Sequence, residues 1–220
     1  GVTQLARAKT GAVEYTGGAG NDTFIMVHAG DVINAAGGTS DKLDVNKNAI
    51  LGGINIDLNA DNQVVSFNGG SISGTVTGFE DVDLAGYTGS FGAQVSGLNT
   101  VGSTIIGTGN ADEINGGTGV DTITGGAGAD NLSGGSRGDT FVITAAAESD
   151  ATNTDAITHF VGGSDEIQFT NAATFDSITD NGTIAAAANL GAATGAAFVL
   201  AAGGNNADRK STRLNSVTLS

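Results

Sequence analysis

Apolar residues recur at a fixed interval of nine along residues 107–142, and small or polar residues fill the positions between them. This stretch reads GTGNADEIN GGTGVDTIT GGAGADNLS GGSRGDTFV, which is four consecutive units without an insertion. The eighth position is apolar in each unit and is occupied by Ile114, Ile123, Leu132 and Phe141. One apolar residue between two polar residues is typical of a very short β-strand that buries its middle side chain. The period of nine predicts a stack of such strands joined by turns.

An aspartate occupies the sixth position of every unit. These aspartates are Asp112, Asp121, Asp130 and Asp139. A fifth copy, GGAGNDTFI, stands alone at 17–25, with Asp22 and Phe24 in the equivalent positions. The glycines before each aspartate permit positive φ angles and leave backbone carbonyls uncovered. Carbonyl oxygens with one carboxylate per unit suit a hard cation such as Ca²⁺.

The spacing also predicts which aspartates are neighbours. Two units form one 18-residue turn of the chain, so every second unit stacks on the same side. We therefore expect Asp112 and Asp130 to line one edge of the stack, and Asp121 and Asp139 to line the other. A calcium ion between stacked turns would take oxygens from both.

These residues resemble the RTX (repeats-in-toxin, hemolysin-type calcium-binding) family, whose signature is G-G-x-G-x-D-x-U-x with a large apolar residue at U. The resemblance covers the 36 residues of 107–142 and the nine residues of 17–25. It implies an all-β fold, namely a parallel β-roll or β-solenoid with nonapeptide calcium-binding repeats and a C-terminal capping segment. It also implies folding on calcium binding and type I secretion from a Gram-negative bacterium, with a C-terminal export signal in place of a signal peptide.

Two of the units depart from the family pattern. The first has Thr108 and Asn110 where glycine is usual, and the fourth has Arg137 at its fourth position. The best metal sites are therefore expected at the interior, around Asp121 and Asp130.

A second block, DAITHFVGGSDEIQF at 155–169, also resembles the family, whose rolls often end in D-x-I-x-x-F-x-x-G-x-D-x-I. Its predicted role is to cover the last strands, because the end of a strand stack exposes edges and apolar side chains. The covering residues would be Ile157, Phe160, Ile167 and Phe169. Asp155 and Asp165 either close the last metal site or face water as turn residues. The residues that the resemblance implies at calcium sites are Gly17, Gly18, Gly20, Asp22, Gly107, Gly109, Asp112, Gly116, Gly117, Gly119, Asp121, Gly125, Gly126, Gly128, Asp130, Gly134, Gly135, Asp139, Asp155 and Asp165.

Composition divides the chain into four segments. Residues 1–106 are predicted to be degenerate β-solenoid coils around the isolated copy, 107–142 the regular roll, and 143–204 the C-terminal cap region. Residues 205–220 are expected to be a non-native or disordered tail, because 209–220 holds three of the eight basic residues and no acid. Residues 26–106 are expected to lose the nine-residue register and to keep only a rhythm of short strands. The candidate strands are Lys42–Val45, Ile54–Leu58, Val64–Phe67, Ser71–Thr77, Val82–Leu84 and Thr104–Ile106. After the roll, a short helix is predicted at Thr183–Leu190 and a strand at Ala197–Ala201.

Charge and residue usage exclude several functions. The chain has 23 acidic and 8 basic residues and a net charge of −15, which argues against a nucleic-acid partner, since phosphate contacts need Lys and Arg. It has no Cys, so disulfides are excluded. No apolar run is long enough to span a bilayer. His28 and His159 are the only histidines and no H-E-x-x-H motif is present, so we expect no enzymatic activity in this chain.

Three functional interpretations remain open at this stage. The leading one is a calcium-binding module of a secreted or cell-surface structural or adhesin protein, similar to a surface-layer protein, with self-association or cell-surface attachment as its expected contacts. The alternative is the C-terminal secretion and folding region of a secreted enzyme or toxin, such as a protease, lipase or cytolysin. The weakest is a segment that serves export alone.

Overall fold

The computed structural model describes residues 3–4, 14–26, 29–45, 52–67, 70–71, 73–145, 148, 153–161, 164–170, 175–180, 183–185, 196–201 and 217–219. Every regular element in these residues is a β-strand. In chain order the strands are β1 (Thr3–Gln4), β2 (Glu14–Thr16), β3 (Thr23–Ile25), β4 (Val32–Asn34), β5 (Lys42–Asp44), β6 (Ile54–Asp57), β7 (Val64–Phe67), β8 (Gly70–Ser71), β9 (Val76–Thr77), β10 (Asp81–Asp83), β11 (Ala93–Ser96), β12 (Thr104–Ile106), β13 (Glu113–Asn115), β14 (Thr122–Thr124), β15 (Asn131–Ser133), β16 (Thr140–Ile143), β17 (Asp155–Thr158), β18 (Glu166–Phe169), β19 (Phe175–Asp180), β20 (Thr183–Ala185), β21 (Ala196–Ala201) and β22 (Val217–Leu219).

The strands form a nine-stranded, a ten-stranded and a three-stranded sheet. The nine-stranded sheet has the order β1-β3-β5-β10-β12-β14-β16-β18-β22, and all its neighbours are parallel. The ten-stranded sheet has the order β20-β19-β21-β17-β15-β13-β11-β6-β7-β8, and the three-stranded sheet has the order β2-β4-β9. The pairs β6–β7, β7–β8 and β19–β20 are antiparallel, so the expectation of uniformly parallel pairing is wrong at these three places.

Successive strands from β10 to β18 alternate between the two large sheets. Thr104 pairs with Thr122 and then Thr122 with Thr140, which is a step of 18 residues within the nine-stranded sheet. Glu113 pairs with Asn131 at the same step in the ten-stranded sheet. The 18-residue stacking that the sequence predicts for 107–142 is confirmed by this register.

The core is built from the middle residue of each short strand. Ile105, Ile123 and Phe141 follow one another along the nine-stranded sheet, and each is fully buried. Their counterparts in the ten-stranded sheet, such as Ile114 and Leu132, belong to the same hydrophobic cluster. From β10 to β18 the strands are three or four residues long, because one or two inward side chains per strand are enough to fill this narrow core.

Between β6 and β9 the chain adds β7 and β8 to the edge of the ten-stranded sheet, and Gln63, just before β7, links this segment to Phe79. Its side chain is buried, and its Nε2 donates to the carbonyls of Leu58 and Phe79 at 2.9 Å each. Its Oε1 accepts the Phe79 amide at 2.9 Å. Three hydrogen bonds therefore satisfy backbone groups that have no sheet partner here, and they position Glu80, which follows Phe79.

Several predicted elements differ from the observed ones. Val64–Phe67 and Thr104–Ile106 are confirmed, and the Ala197–Ala201 strand is observed one residue longer at Ala196–Ala201. The predicted strand Ser71–Thr77 is wrong, because the amides of Ser73 and Gly74 both bond the Ala29 carbonyl and break it into β8 and β9. The candidates before the roll did not include the strands β1, β2, β4 and β11.

Two predictions at the C-terminal end fall partly on described strands. The predicted helix Thr183–Leu190 is wrong at its start, where Thr183–Ala185 is a strand paired antiparallel with β19; residues 186–190 lie outside the described residues. The Asn181-Gly182 dipeptide is a strong hairpin signal that outweighs the helix preference of the following alanines. Within the expected tail, Val217–Leu219 forms β22 and pairs with β18, while 205–216 and 220 lie outside the described residues.

Candidate functional site

The repeat aspartates are linked in rows by hydrogen bonds between stacked turns. The amide of Asp112 donates to Oδ1 of Asp130 at 2.9 Å, and the amide of Asp121 donates to Oδ1 of Asp139 at 2.9 Å. The predicted neighbours on the two edges are therefore confirmed. Each carboxylate thus uses one oxygen to hold the turn 18 residues before it.

Acidic residues at the start of the strands form two such rows, which we name the long row and the short row. The long row precedes strands of the nine-stranded sheet and consists of Asp22, Asp41, Glu80, Asp121, Asp139 and Asp165. The short row precedes or begins strands of the ten-stranded sheet and consists of Asp112, Asp130 and Asp155. Ser103 occupies the gap in the long row between Glu80 and Asp121, and its amide donates to Oδ1 of Asp121 at 2.7 Å.

The second carboxylate oxygen has a hydrogen-bond donor in some of the row aspartates and, among the described residues, none in others. In Asp22, Asp112 and Asp165 this Oδ2 accepts the amide of the residue four positions earlier, at 2.7, 2.6 and 2.7 Å. In Asp121, Asp130 and Asp139 it is buried and has no hydrogen-bond partner within the described part of the chain. Asp41 has the same unpartnered, buried Oδ2. Burying a carboxylate oxygen without a hydrogen-bond partner costs folding free energy. A bound proton or cation at each of these atoms would offset that cost.

Glycines at the first position of each turn make room for these carboxylates. A Cβ on Gly116 would lie 2.6 Å from Oδ2 of Asp121. Gly125 and Gly134 stand in the same relation to Asp130 and Asp139. The first glycine is therefore required because the aspartate five residues later folds back against its Cα.

Glycines at the second position are required by backbone conformation. Gly117, Gly126 and Gly135 have φ angles of 111°, 99° and 97°, and a Cβ on each would collide with a carbonyl group of the turn 18 or 19 residues earlier. At the fourth position Gly128 has a φ of 124°, and Arg137 adopts 88° in the equivalent place. The fourth unit is therefore irregular because Arg137 adopts a left-handed backbone conformation, which is strained for L-residues.

Burial perturbs the acidity of the interior carboxylates. Burial, with a smaller contribution from the charge of Asp139, raises the pKa of Asp121 to about 6. Burial also raises the pKa of Asp130 to about 8, and the neighbouring charges of Asp155, Asp112 and Glu148 add to this shift. In the described residues no basic side chain pairs with Asp121, Asp130 or Asp139, and Lys42 instead pairs with Asp83 at 2.9 Å.

The oxygens available for a cation are of two kinds. Within the described residues, no three His, Asp or Glu side chains come together as a metal cluster. A cation at either row would therefore need backbone carbonyls of the turns in addition to the row carboxylates. Such carbonyls are close at hand, since those of Thr108 and Gly117 lie directly against the positions of Gly126 and Gly135.

Unit one differs from the interior units because Thr108 replaces the second glycine. The Thr108 amide donates to Oδ2 of Asp112 at 2.6 Å, and its hydroxyl donates to Oδ1 at 2.8 Å. The Ala93 amide donates to the same Oδ1 at 2.6 Å. Protein donors therefore satisfy Asp112. Gly109, also predicted at this site, has open space around it.

The block 155–169 does not end the strand stack as predicted, because β17 and β18 pair with β21 and β22 as well as with β15 and β16. Asp155 and Asp165 are both buried, and their Oδ1 atoms accept the amides of Asp130 and Asp139 at 3.0 Å each. The alternative that they face water is therefore wrong. Ile157 and Ile167 are fully buried, while Phe160 lies 6.2 Å from Phe141 between ring centroids. The side chain of Phe169 lies outside the described residues.

Asp41 and Glu80 belong to the long row but were not predicted there, and the buried Asp31 was not singled out either. Asp31 follows Asp22 by nine residues and Ile33 follows Phe24 by nine, so the expected loss of register at 26–106 is wrong for 26–34. Both Asp31 and Asp41 are completely buried. Asp41 follows Asp31 by ten residues, and this single inserted residue hides it from a search at period nine. Glu80 takes an aspartate position, where its Oε2 accepts the Asp41 amide at 2.8 Å.

Comparisons with known proteins do not supply an identity. No protein-family model matches the chain, and no curated protein matches it. No described segment forms a helix with the length and apolar character that crossing a membrane requires.

Proposed function

We propose that this chain is a calcium-binding module of the RTX type, whose strands form a parallel β-roll stabilised by Ca²⁺ along the two aspartate rows. The observation that carries the proposal is the buried, unpartnered Oδ2 of Asp121, Asp130 and Asp139. These atoms repeat at the same place in consecutive nine-residue units, and no cationic side chain of the described residues pairs with their carboxylates. Carboxylate oxygens that lack a donor in consecutive units support a cation bound at each of these units.

The donor set favours calcium over other metals. All the candidate donors are carboxylate or carbonyl oxygens, and the chain contains no Cys. Soft or borderline metals prefer thiolate and imidazole ligands, whereas Ca²⁺ takes six to eight oxygens in flexible geometry. In unit one, Thr108 donates hydrogen bonds to both oxygens of Asp112, and Ser103 has no carboxylate. We therefore expect the strongest sites around Asp121, Asp130 and Asp139.

The carboxylates and the fold give a mechanism for calcium-dependent folding. Without a cation, packing the turns places ionised carboxylates against glycine Cα atoms and away from water, which opposes folding. When bound, calcium would supply the positive charge at these oxygens. Because the stacked turns exist only in the folded chain, the free energy of binding adds to the free energy of folding.

We further propose that the module belongs to a secreted or cell-surface structural or adhesin protein, similar to a surface-layer protein. Extracellular calcium modules bind with dissociation constants on the order of 10⁻⁴–10⁻³ M, which keeps them calcium-free in the cytosol and loaded outside. The net charge of −15 supports this switch, since self-repulsion keeps the calcium-free chain extended.

Circular dichroism tests the proposal directly. The 220-residue chain is measured in EDTA and then at millimolar CaCl₂, with MgCl₂ at the same concentration as the control for ionic strength and charge. We expect calcium, and not magnesium, to produce the β-sheet spectrum and a cooperative thermal transition. A chain that is already folded in EDTA and whose melting temperature does not respond to calcium would contradict the proposal.

A further inference from the structure

The turn that follows β16 is longer than the two turns stacked before it. Six residues separate β12 from β13 and six separate β14 from β15, whereas eleven residues, 144–154, separate β16 from β17. This turn begins with Thr144 and Ala145 in place of two glycines. The two glycines that open the turns at 116–117, 125–126 and 134–135 are therefore absent from this turn.

Glu148 is held at the start of this longer turn. Its Oε2 accepts the Thr144 amide at 2.6 Å, and its Oε1 accepts the Thr144 hydroxyl. Its own amide donates to the Ala145 carbonyl at 3.1 Å. These bonds fold the turn back on itself and fix the position of the Glu148 carboxylate.

The fixed carboxylate borders an open groove of about 410 Å³ above the stacked turns. Thr108 and Gly109 of the first turn, Gly126 and Ala127 of the second, and Thr144 and Glu148 line it. The groove therefore follows the short row across three consecutive turns. Glu148 is the acidic residue among those that line it.

Asp130 has a carboxylate oxygen that accepts no hydrogen bond from described residues, in the turn beside this groove. It is 1% exposed, and its Oδ2 has no hydrogen-bond partner in the described residues. That oxygen lies against Gly125, inside the same turn whose Gly126 and Ala127 line the groove. Glu148 lines the same groove as Gly126 and Ala127, which belong to the turn that ends at Asp130.

We propose that Glu148 is a calcium ligand at the end of the short row, where its carboxylate replaces the carbonyls that another glycine turn would provide. The inference rests on the calcium-binding function proposed above, but it adds a residue outside the nine-residue pattern. Its carboxylate and that of Asp130 would hold one ion between the turn 125–130 and the turn that begins at Thr144. Both groups are hard oxygen donors of the kind calcium prefers.

Calcium stoichiometry and affinity of the full chain, measured by isothermal titration calorimetry, test this assignment. Glu148→Gln keeps an acceptor for Thr144 but removes the charge, whereas Thr144→Val removes a donor to Glu148 and keeps the charge. Glu113→Gln, on the exposed face of β13, is the charge-matched control. We expect Glu148→Gln to lose one ion per chain or to bind it at least about tenfold more weakly, as loss of a metal-site partner does. Thr144→Val and Glu113→Gln should keep the wild-type stoichiometry.

The outcomes separate this assignment from the broader function. Calcium binding by the wild type that Glu148→Gln leaves unchanged overturns the role of Glu148 and leaves the proposed function standing. An equal loss in Thr144→Val assigns the effect to anchoring of the turn and also overturns the role. Absence of calcium binding by the wild type overturns both. If Glu148→Gln does not fold at saturating calcium, Glu148→Asp is titrated instead, and an affinity equal to that of the wild type overturns the role.

Discussion

Oδ1 of Asp139 accepts the amide proton of Asp121 at 2.9 Å, while Oδ2 of the same carboxylate is buried without a partner. One oxygen thus connects two stacked turns, and the other remains for a proton or a cation. The same division holds at Asp130, whose Oδ1 accepts the Asp112 amide at 2.9 Å. The structural and the proposed metal-binding roles of the aspartate are therefore carried by different atoms of one side chain.

Asp121→Asn is expected to separate these two roles. The asparagine keeps an Oδ1 acceptor for the Ser103 amide but carries no charge, so the calcium-free fold should gain about 1–3 kcal/mol in free energy of unfolding. The stabilisation that calcium gives should decrease, because one row carboxylate is lost. Urea denaturation in EDTA and in calcium measures both effects. Asp57→Asn is the control, since Asp57 accepts the Asn59 amide at an exposed turn outside both rows. Equal effects of the two substitutions would contradict the assignment.

The raised pKa values predict an unusual pH dependence in the absence of calcium. The folded-state pKa is about 6 for Asp121 and about 8 for Asp130, against an ordinary value of 3.8. A folded-state pKa above the unfolded one means that the folded chain binds protons more tightly, so stability is full below about pH 4 and is lost as pH rises through 6 and 8. The melting temperature in EDTA should therefore fall between pH 4 and pH 8.

Saturating calcium should reverse that trend, because a cation replaces the protons at the row carboxylates. The melting temperature in calcium should rise from pH 4 to pH 8, since ligands must be deprotonated before they bind metal. Differential scanning calorimetry in both conditions measures the two slopes. Slopes of the same sign with and without calcium would show that the row carboxylates do not control stability.

Arg137→Gly is expected to stabilise the chain. Arg137 has a φ of 88° at the position where Gly128 has 124°, and an L-residue in this region costs about 1–2 kcal/mol. Glycine relieves that strain at the expense of greater freedom in the unfolded chain, so the net gain should be about 1 kcal/mol. Arg137→Ala removes the same charge and keeps the strain, which makes it the matched control. The midpoint of urea denaturation should increase for the glycine variant and not for the alanine variant.

Regular spacing explains which parts of the structure could be predicted from the sequence. One apolar residue in every nine determines where Ile123 and Leu132 enter the core, and an 18-residue step determines that Asp121 lies beside Asp139. A single inserted residue was enough to conceal Asp41, because period-based reasoning fails as soon as the interval changes. The bridge made by Gln63 depends on side-chain geometry at an irregular insertion, which no spacing encodes. The hydroxyl of Thr108 could be recognised as a departure from the pattern, but its bond to Asp112 depends on the fold of the turn.

Thr108→Val tests whether hydrogen bonds from Thr108 take the place of a cation at Asp112 in unit one. Valine has nearly the shape of threonine and keeps the backbone amide, so Oδ2 of Asp112 keeps its 2.6 Å bond while Oδ1 loses the hydroxyl. The variant loses this buried bond and the bond that the Asn110 amide donates to the same hydroxyl at 3.0 Å. We expect the free energy of unfolding in EDTA to decrease by about 1–2 kcal/mol. Calcium should restore more stability to this variant than to the wild type, because Oδ1 of Asp112 then accepts only the Ala93 amide and has a lone pair available for a cation. Thr100→Val, at an exposed bend, controls for the added methyl group. If Thr108→Val loses no more stability than Thr100→Val, the Thr108 hydroxyl does not stabilise the Asp112 carboxylate.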